Sequence, residues 1–414
     1  MYIKRIIENK IKNMIEKFPV VLVTGPRQVG KTTILNELLV KNGMYGYITL
    51  DDPMIRNLIK DDPILFLQKY ETPLIIDEIQ YAPELFQYIK IFVDKKMMVE
   101  NQETNGMYIL TGSQMFRMMN NISESLAGRV GILNLLGLST NEINSTGERE
   151  FLPKFEYVKK RSSNYSPNIK DVFQRIFRGS MPKMHINENI TENEFYSSYV
   201  ATYLERDIRE LIAIKDERKF LKFLSNIAVR TAQELNFNEL AKTTEIDIKT
   251  AQNWLSVLET SGIVYLLNSY SNNDVKRIIK RPKLYFMDTG LACYLARYMN
   301  AETLEASAYS GSIFETFVVS EIIKTYINQG FNPKMHLYYY RDTNQNEIDL
   351  IIVKDNQIFP VEIKKSYNPK KNSMKNFKIL DRSTIPVSEG GIICMCENAI
   401  PIDEKNSFIP ISCI

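Results

Sequence analysis

Residues 19–40 read PVVLVTGPRQVGKTTILNELLV, and this stretch decides how the rest of the chain is read. The apolar run 19–24 has the continuity of a short strand buried on both faces, 25–30 is a turn, and 31–40 repeats apolar residues with the period of a helix. Strand, loop and helix are the context in which G-x-x-x-x-G-K-T acquires a physical meaning. Gly25 and Gly30 free the backbone to wrap closely, so that successive N–H groups and the N-terminus of the following helix face an anion. Gly25, Pro26, Arg27, Gln28, Val29, Gly30, Lys31, Thr32 and Thr33 are therefore expected to hold the phosphates of a nucleotide. Lys31 would meet the β- and γ-phosphates, and the Thr32 hydroxyl would join a Mg²⁺ shell.

Working outward, a second strand end must complete such a site. Leu74, Ile75 and Ile76 run into Asp77 and Glu78, and a continuous apolar run with an acidic end places that end at the ligand-binding rim of a parallel sheet. Asp77 is expected to hold Mg²⁺ and Glu78 to act as the base that polarises the attacking water. Two further strands are expected, over 46–50, ending in Asp51 and Asp52, and over 107–110, ending in Thr111, Gly112 and Ser113. The second resembles a sensor strand, inserted between the strands bearing the loop and Asp77, with Thr111, Ser113 and Gln114 as γ-phosphate contacts. Ordinary turn-satisfying hydroxyls are the competing reading. Arg129, in SESLAGRV, precedes the final strand and is a candidate arginine finger, in cis or in trans. Its competing role is an ion pair with a carboxylate.

Past residue 140 the chain turns polar, which marks the exit from the first domain. Three domains are expected, over 1–145, 165–300 and 305–414. In the middle one, the helix over 194–214 presents Arg206, Asp207 and Arg209 on a polar face. Helices over 219–231, 238–242 and 247–260 follow, and the last, capped by Asp247 and closed at Gly262, resembles the recognition helix of a winged helix-turn-helix. Ile248, Ala251, Leu255 and Leu258 would face a core, with Lys249, Gln252, Asn253 and Ser256 outward and Trp254 packed. The next two strands flank a polar turn, and Lys276, Arg277, Lys280, Arg281 and Lys283 form a basic wing suited to phosphate.

In the last domain a helix over 312–327 precedes strands over 336–341, 347–353 and 358–364. Asp349, Glu362 and Lys364 then fall on neighbouring strands, with Glu362 and Lys364 on one face by the period of two. Two converging carboxylates can hold Mg²⁺ while a lysine orients water for phosphodiester attack, and Glu315 on the helix could complete the metal shell. The D…(D/E)-x-K pattern resembles the PD-(D/E)xK nuclease fold, with Ile348 where that fold has proline. Charge alternation on a surface hairpin would also produce E-x-K.

Taken together, GPRQVGKTT, LIIDEIQ, ILTGSQ, SLAGRV and FE…EIDLII…VEIKK resemble prokaryotic AAA-like P-loop ATPases that carry a C-terminal domain of unknown function. The resemblance implies an α/β chain: a P-loop NTPase parallel sheet, a helical and winged-helix-like middle, and an α/β restriction-endonuclease-like end. It also implies ATP and Mg²⁺ as cofactors. Members of that group often have two glycines where this chain has Gly179 and Ser180. Two functions follow: ATP hydrolysis coupled to a DNA-binding or nuclease module, or a nucleotide-controlled switch whose nuclease-like domain only binds DNA, a protein partner or another copy of the chain.

Composition excludes other classes. The 414 residues are 44% hydrophobic and 24% charged with a net charge of +3, which suits a globular chain and makes no global demand for nucleic acid. Two histidines and four scattered cysteines do not make a zinc module or a disulfide framework, and Cys394 and Cys396 read as strand packing. No apolar run reaches the ~18–20 residues of a membrane span. The amphipathic N-terminus is unlike a signal peptide, and a cytoplasmic location is expected.

Overall fold

The computed structural model describes residues 2–98, 101, 103–113, 125–147, 149–161, 167–204, 216–271 and 281–414. They form two compact units, the first Met1–Leu138 with Thr260–Gly262 and Asn328–Gly330, the second the remainder. The first unit ends at Leu138, and residues of the expected middle and last domains fall in the second.

The first unit is built on five parallel strands in the order β2-β3-β4-β1-β5. They are β1 (Val20–Thr24), β2 (Gly46–Thr49), β3 (Leu74–Asp77), β4 (Tyr108–Gly112) and β5 (Val130–Asn134). Every residue of β1, β3 and β4 is buried, as strands covered on both faces must be. On one face Val20, Leu22, Ile76 and Leu110 pack with Leu85, Phe86, Ile89 and Val93 of the helix Leu85–Met98. As expected, β4 lies between the loop-bearing β1 and the Asp77-bearing β3. The edge strand β5 alternates buried and less buried positions.

The second unit holds two sheets. The helices Glu217–Ala228, Phe237–Thr244 and Ile248–Thr260 accompany a three-stranded antiparallel sheet, order β6-β8-β7, made of β6 (Gln233–Glu234), β7 (Val264–Leu267) and β8 (Lys283–Phe286). Asp247 accepts the Thr250 N–H at 2.8 Å, the expected cap. Trp254 packs edge-on against Phe220 and Phe223. Lys249, Gln252, Asn253 and Ser256 are exposed, but so is Ile248, at 44%, which corrects its assignment to the core. It is the first residue of its helix, where the side chain stands at the helix end. Lys276, Arg277, Lys280, Arg206, Asp207, Arg209 and Gln114 lie outside the described residues.

The second sheet is mixed and six-stranded: β9 (Leu337–Arg341), β10 (Glu347–Lys354), β11 (Gln357–Ile363), β12 (Gly390–Cys394), β13 (Ile400–Pro401) and β14 (Asn406–Pro410), in the order β13-β14-β12-β11-β10-β9. β9, β10 and β11 pair antiparallel, and β12 joins β11 in parallel. The helix Ser310–Asn328 precedes β9. The chain beyond β7 continues this sheet's edge, because Tyr270 N–H donates to the Tyr339 carbonyl at 2.6 Å and Tyr339 N–H to that of Asn268 at 3.0 Å. Cys394 is buried in β12, and Cys396 lies half-buried past its end.

Candidate functional site

The loop after β1 takes the strained path its glycines allow. Gly25 has φ 144°, Gln28 φ 63° and Gly30 φ 92°. A Cβ on Gly25 would fall 1.9 Å from the Leu135 carbonyl oxygen, so the loop can lie against the end of β5 only with glycine there. Lys31 opens the next helix, is buried, and donates through Nζ to the carbonyls of Gly25 (3.0 Å) and Pro26 (2.9 Å). Arg5 supports the loop from beneath. It is 4% exposed and its guanidinium donates to the carbonyls of Val29 (3.0 Å) and Leu136 (2.8 Å).

Asp77, at the end of β3, collects hydroxyl donors. Thr32 Oγ1 lies 2.9 Å from its Oδ2, the Tyr47 hydroxyl donates to the same oxygen at 2.8 Å, and Thr111 Oγ1 donates to Oδ1. Burial and then the neighbouring carboxylate raise the Tyr47 phenol well above its usual pKa, so it remains a donor. Thr111 also accepts the Glu78 N–H at 3.2 Å and is fully buried. It therefore buttresses β3. Ser113 and Thr24 each bury a hydroxyl that has no hydrogen-bond partner among the described residues. Glu78 adopts left-handed φ 57°, ψ 46°, a conformation that costs roughly 1–3 kcal/mol and is concentrated at functional sites. Its carboxylate accepts from the Gln80 side-chain amide.

These residues fit a magnesium nucleotide. The backbone cradle admits no Cβ at Gly25, a hydroxyl and a carboxylate converge where the helix begins, and the buried Ser113 hydroxyl awaits an acceptor.

Arg129 does not join them, which corrects its reading as a finger for its own site. Val130 pairs with Val20 and Asn134 with Thr24, so Arg129 stands at the opposite end of five-residue strands from the loop, about 16 Å away at the usual rise per residue. It forks instead onto Asp94, with Nε–Oδ1 at 2.6 Å and Nη2–Oδ2 at 3.0 Å.

The second group of candidates meets on β10 and β11. Leu350 pairs with Val361, so Asp349 and Glu362 stand across from one another, beside an irregularity in the pairing of β10 with β9. Asp349 accepts the Ile363 N–H at 2.8 Å and Lys364 Nζ at 3.1 Å, and Lys364 also reaches Glu362 at 2.8 Å. Burial pushes Glu362 up to about 9, reinforced by Asp349. Burial works the other way from the charges around Asp349, but Lys364 and Lys283 prevail and hold it below its usual range.

Glu315 is approached from a different direction. Lys283 of β8 donates to its Oε1 at 3.0 Å and the Tyr285 hydroxyl to the same atom at 2.8 Å, while Lys283 reaches Glu347 at 2.5 Å. Lys283 is 2% exposed, so its assignment to a phosphate-binding wing is corrected: it faces carboxylates inside the unit. Among the described residues no group of three or more His, Cys, Asp and Glu side chains is placed to hold a metal ion. With Lys283 on Glu315 and Lys364 on Asp349 and Glu362, the donor set does not fit a divalent cation.

The Gly179–Ser180 turn has its own explanation. Gly179 has φ 76°, and a Cβ there would fall 2.0 Å from the Tyr196 hydroxyl oxygen. Ser180 gives both its N–H and its hydroxyl to Asp288, each at 2.7 Å, a bond that a second glycine could not make in full.

Spacing alone missed Arg5, Tyr47, Gln80 and Tyr285. Gln80 was the most accessible of these, standing two residues from the proposed base.

Among known proteins, residues 17–144 match an AAA domain, residues 169–302 a domain of unknown function (DUF8612) and residues 310–414 another (DUF4143). Uncharacterized proteins of Mycobacterium tuberculosis and Mycobacterium bovis are each 26% identical over 403 residues, spanning 97% of this chain and 82% of theirs. Among solved structures, a Walker-type ATPase of Pyrococcus abyssi is similar with TM-score 0.41 and 15% identity, over 70% of this chain and 94% of that one. Thermotoga maritima RuvB T158V is similar with TM-score 0.29 and 17% identity, over 63% of this chain and 88% of that one. No helix among the described residues is long and apolar enough to cross a membrane. The matched AAA domain, with the loop and strand-end geometry above, supports an AAA-type P-loop ATPase domain over residues 17–144.

Proposed function

We propose that the first unit hydrolyses ATP with Mg²⁺ and that the chain is a nucleotide-controlled switch whose second unit binds DNA without cutting it. The observation that carries the hydrolysis reading is the 2.9 Å contact between Thr32 Oγ1 and Asp77 beside a cradle of positive-φ glycines. Thr32 and Asp77 would hold Mg²⁺, which when bound supplies positive charge against the developing charge of the phosphates. The loop N–H groups and Lys31 orient the β- and γ-phosphates. Thr111 and Tyr47 fix the Asp77 carboxylate by hydrogen bonds, so that it need not reorganise. Glu78 takes the proton of the attacking water, and Gln80 sets its orientation through the amide it donates. The Ser113 hydroxyl is proposed as the γ-phosphate contact.

The DNA reading is supported by the order of helices and strands around the three-stranded sheet and by the exposed face of Lys249, Gln252, Asn253 and Ser256. Arg281 remains in the proposed phosphate-contacting set. The helix, three antiparallel strands and parallel fourth strand of the mixed sheet support kinship with nuclease folds, but the lysines on its carboxylates favour binding over cleavage. Phosphate release from ATP with and without duplex DNA, alongside a Mg²⁺ or Mn²⁺ cleavage assay, tests both parts. ATP turnover without metal-dependent cutting is expected. Metal-dependent cutting abolished by Asp349→Ala would overturn the non-catalytic reading, and absence of turnover the ATPase one.

A further inference from the structure

The chain that leaves β11 runs through a loop into a 3₁₀ helix, Lys371–Arg382, whose sides have opposite chemistry. In such a helix residues three apart share a row. Met374, Phe377 and Leu380 form one row, buried against Ile348, Ile358 and Ile392 of the mixed sheet. The Asn376 side-chain amide donates to the Glu347 carbonyl at 2.8 Å, at the start of β10. A second row, Asn372, Lys375, Lys378 and Asp381, is thereby held outward and is exposed along its length. Lys375 and Lys378 stand about 6 Å apart at ~2.0 Å per residue. Lys370 and Lys371 lead into the helix and Arg382 closes it, all three exposed, and Asp381 is the one acid between 370 and 382.

These charges have no counterpart within the fold. Lysines elsewhere in the unit hold carboxylates even where exposed, Lys222 on Glu245 at 2.5 Å and Lys334 on Glu259 at 2.6 Å. Lys370, Lys375 and Lys378 form no ion pair or side-chain hydrogen bond among the described residues. Glu347, whose carbonyl the helix touches, gives its carboxylate to Lys283 and Arg341. Lys370 and Lys371 also stand at the helix N-terminus, where the peptide dipoles already present positive charge and a cation is disfavoured. Like charges set on a packed element, without partners and against the dipole, call for an anion from outside the chain.

We propose that this exposed face is a contact surface for the phosphate backbone of duplex DNA, held without regard to sequence. The proposal rests on the reading of the second unit as a DNA binder and puts the backbone contact on an element other than the Lys249 helix. Ammonium groups neutralise phosphates and release counterions, which supplies affinity but no base readout. The exposed row carries no apolar side chain to enter a bilayer, so a membrane surface is the poorer match.

The full chain, without nucleotide, is titrated against a fluorescently labelled duplex of mixed sequence and followed by anisotropy from about 50 to 200 mM KCl. Lys370→Gln/Lys375→Gln/Lys378→Gln is expected to bind about tenfold or more weakly at the low end. Its slope of log K against log[salt] should be shallower by about 0.9 per lysine, about 2.7 in all. The matching triple change to Arg should keep wild-type affinity and slope. Lys159→Gln/Lys160→Gln/Lys183→Gln, which removes the same charge from exposed lysines elsewhere in the unit, should keep the slope. An unchanged slope in the first variant, or an equal fall in this control, would overturn the proposal. So would binding to phosphatidylserine vesicles that the first variant loses while its duplex binding stays that of wild type. Duplex binding that Lys249→Glu abolishes and the first variant retains would overturn the proposal and leave the DNA reading standing. No duplex binding by wild type would sink the DNA reading, and this inference with it.

Discussion

Asp77 and Asp349 both end an expectation of metal binding, and they sit in opposite company. Around Asp77 the partners are hydroxyls, from Thr32, Tyr47 and Thr111. Around Asp349 they are a backbone N–H and the Lys364 ammonium, with the Lys283 charge close behind. Hydroxyls leave the carboxylate's charge unneutralised and still in need of a cation, whereas ammonium groups already supply one. A carboxylate in a motif therefore says where charge is placed, and its neighbours say whether a metal is called for.

The sharpest way to break the comparison is Lys283→Met. Leaving Glu315 and Glu347 without their buried partner is expected to destabilise the second unit by about 3–5 kcal/mol, measured by denaturant unfolding. A loss below about 1 kcal/mol would show that the buried pairing carries little. Next in size is Gly25→Ala, which must displace the Leu135 carbonyl and is expected to weaken ATP binding at least tenfold by calorimetry, about 1.4 kcal/mol. Unchanged affinity would mean the loop is not the cradle.

Smaller effects separate the two ends of the parallel sheet. Arg129→Ala should leave ATP turnover within about twofold of wild type and cost no more than about 1 kcal/mol of stability, because its Asp94 pair is a quarter exposed. A hundredfold loss of turnover would restore a finger role. The least effect is expected from His185→Gln. Burial and then Arg175 lower the His185 pKa from 6.5 to about 4, so the neutral form is the one folded. Its contribution is full above pH 6.5 and declines as pH falls toward 4, where the unfolded chain takes up the proton first. The variant should flatten the fall in wild-type Tm over that window; parallel Tm curves would exclude His185 as a source of the decline.

What the sequence made legible follows chain proximity. The cradle, the Asp77 strand end and the inserted β4 lie in contiguous runs whose period and punctuation carry the information. The 2% exposure of Lys283 does not, because its partners Glu315 and Glu347 are distant in sequence and a lysine beside Lys280 and Arg281 reads as one more wing residue. Arg129 was misread for a related reason: a strand's direction decides which rim a flanking residue occupies, and Arg129 precedes β5 where the loop follows β1. Tyr47 and Arg5 reach the site across strand pairing and tertiary packing, which no spacing rule records.

ATP hydrolysis by Glu78→Gln beside wild type, both with Mg²⁺, is the most direct measurement. Loss of the proposed base should lower phosphate release by about 10²–10⁴-fold while ATP binding is retained. Equal phosphate release by the two proteins would contradict the account.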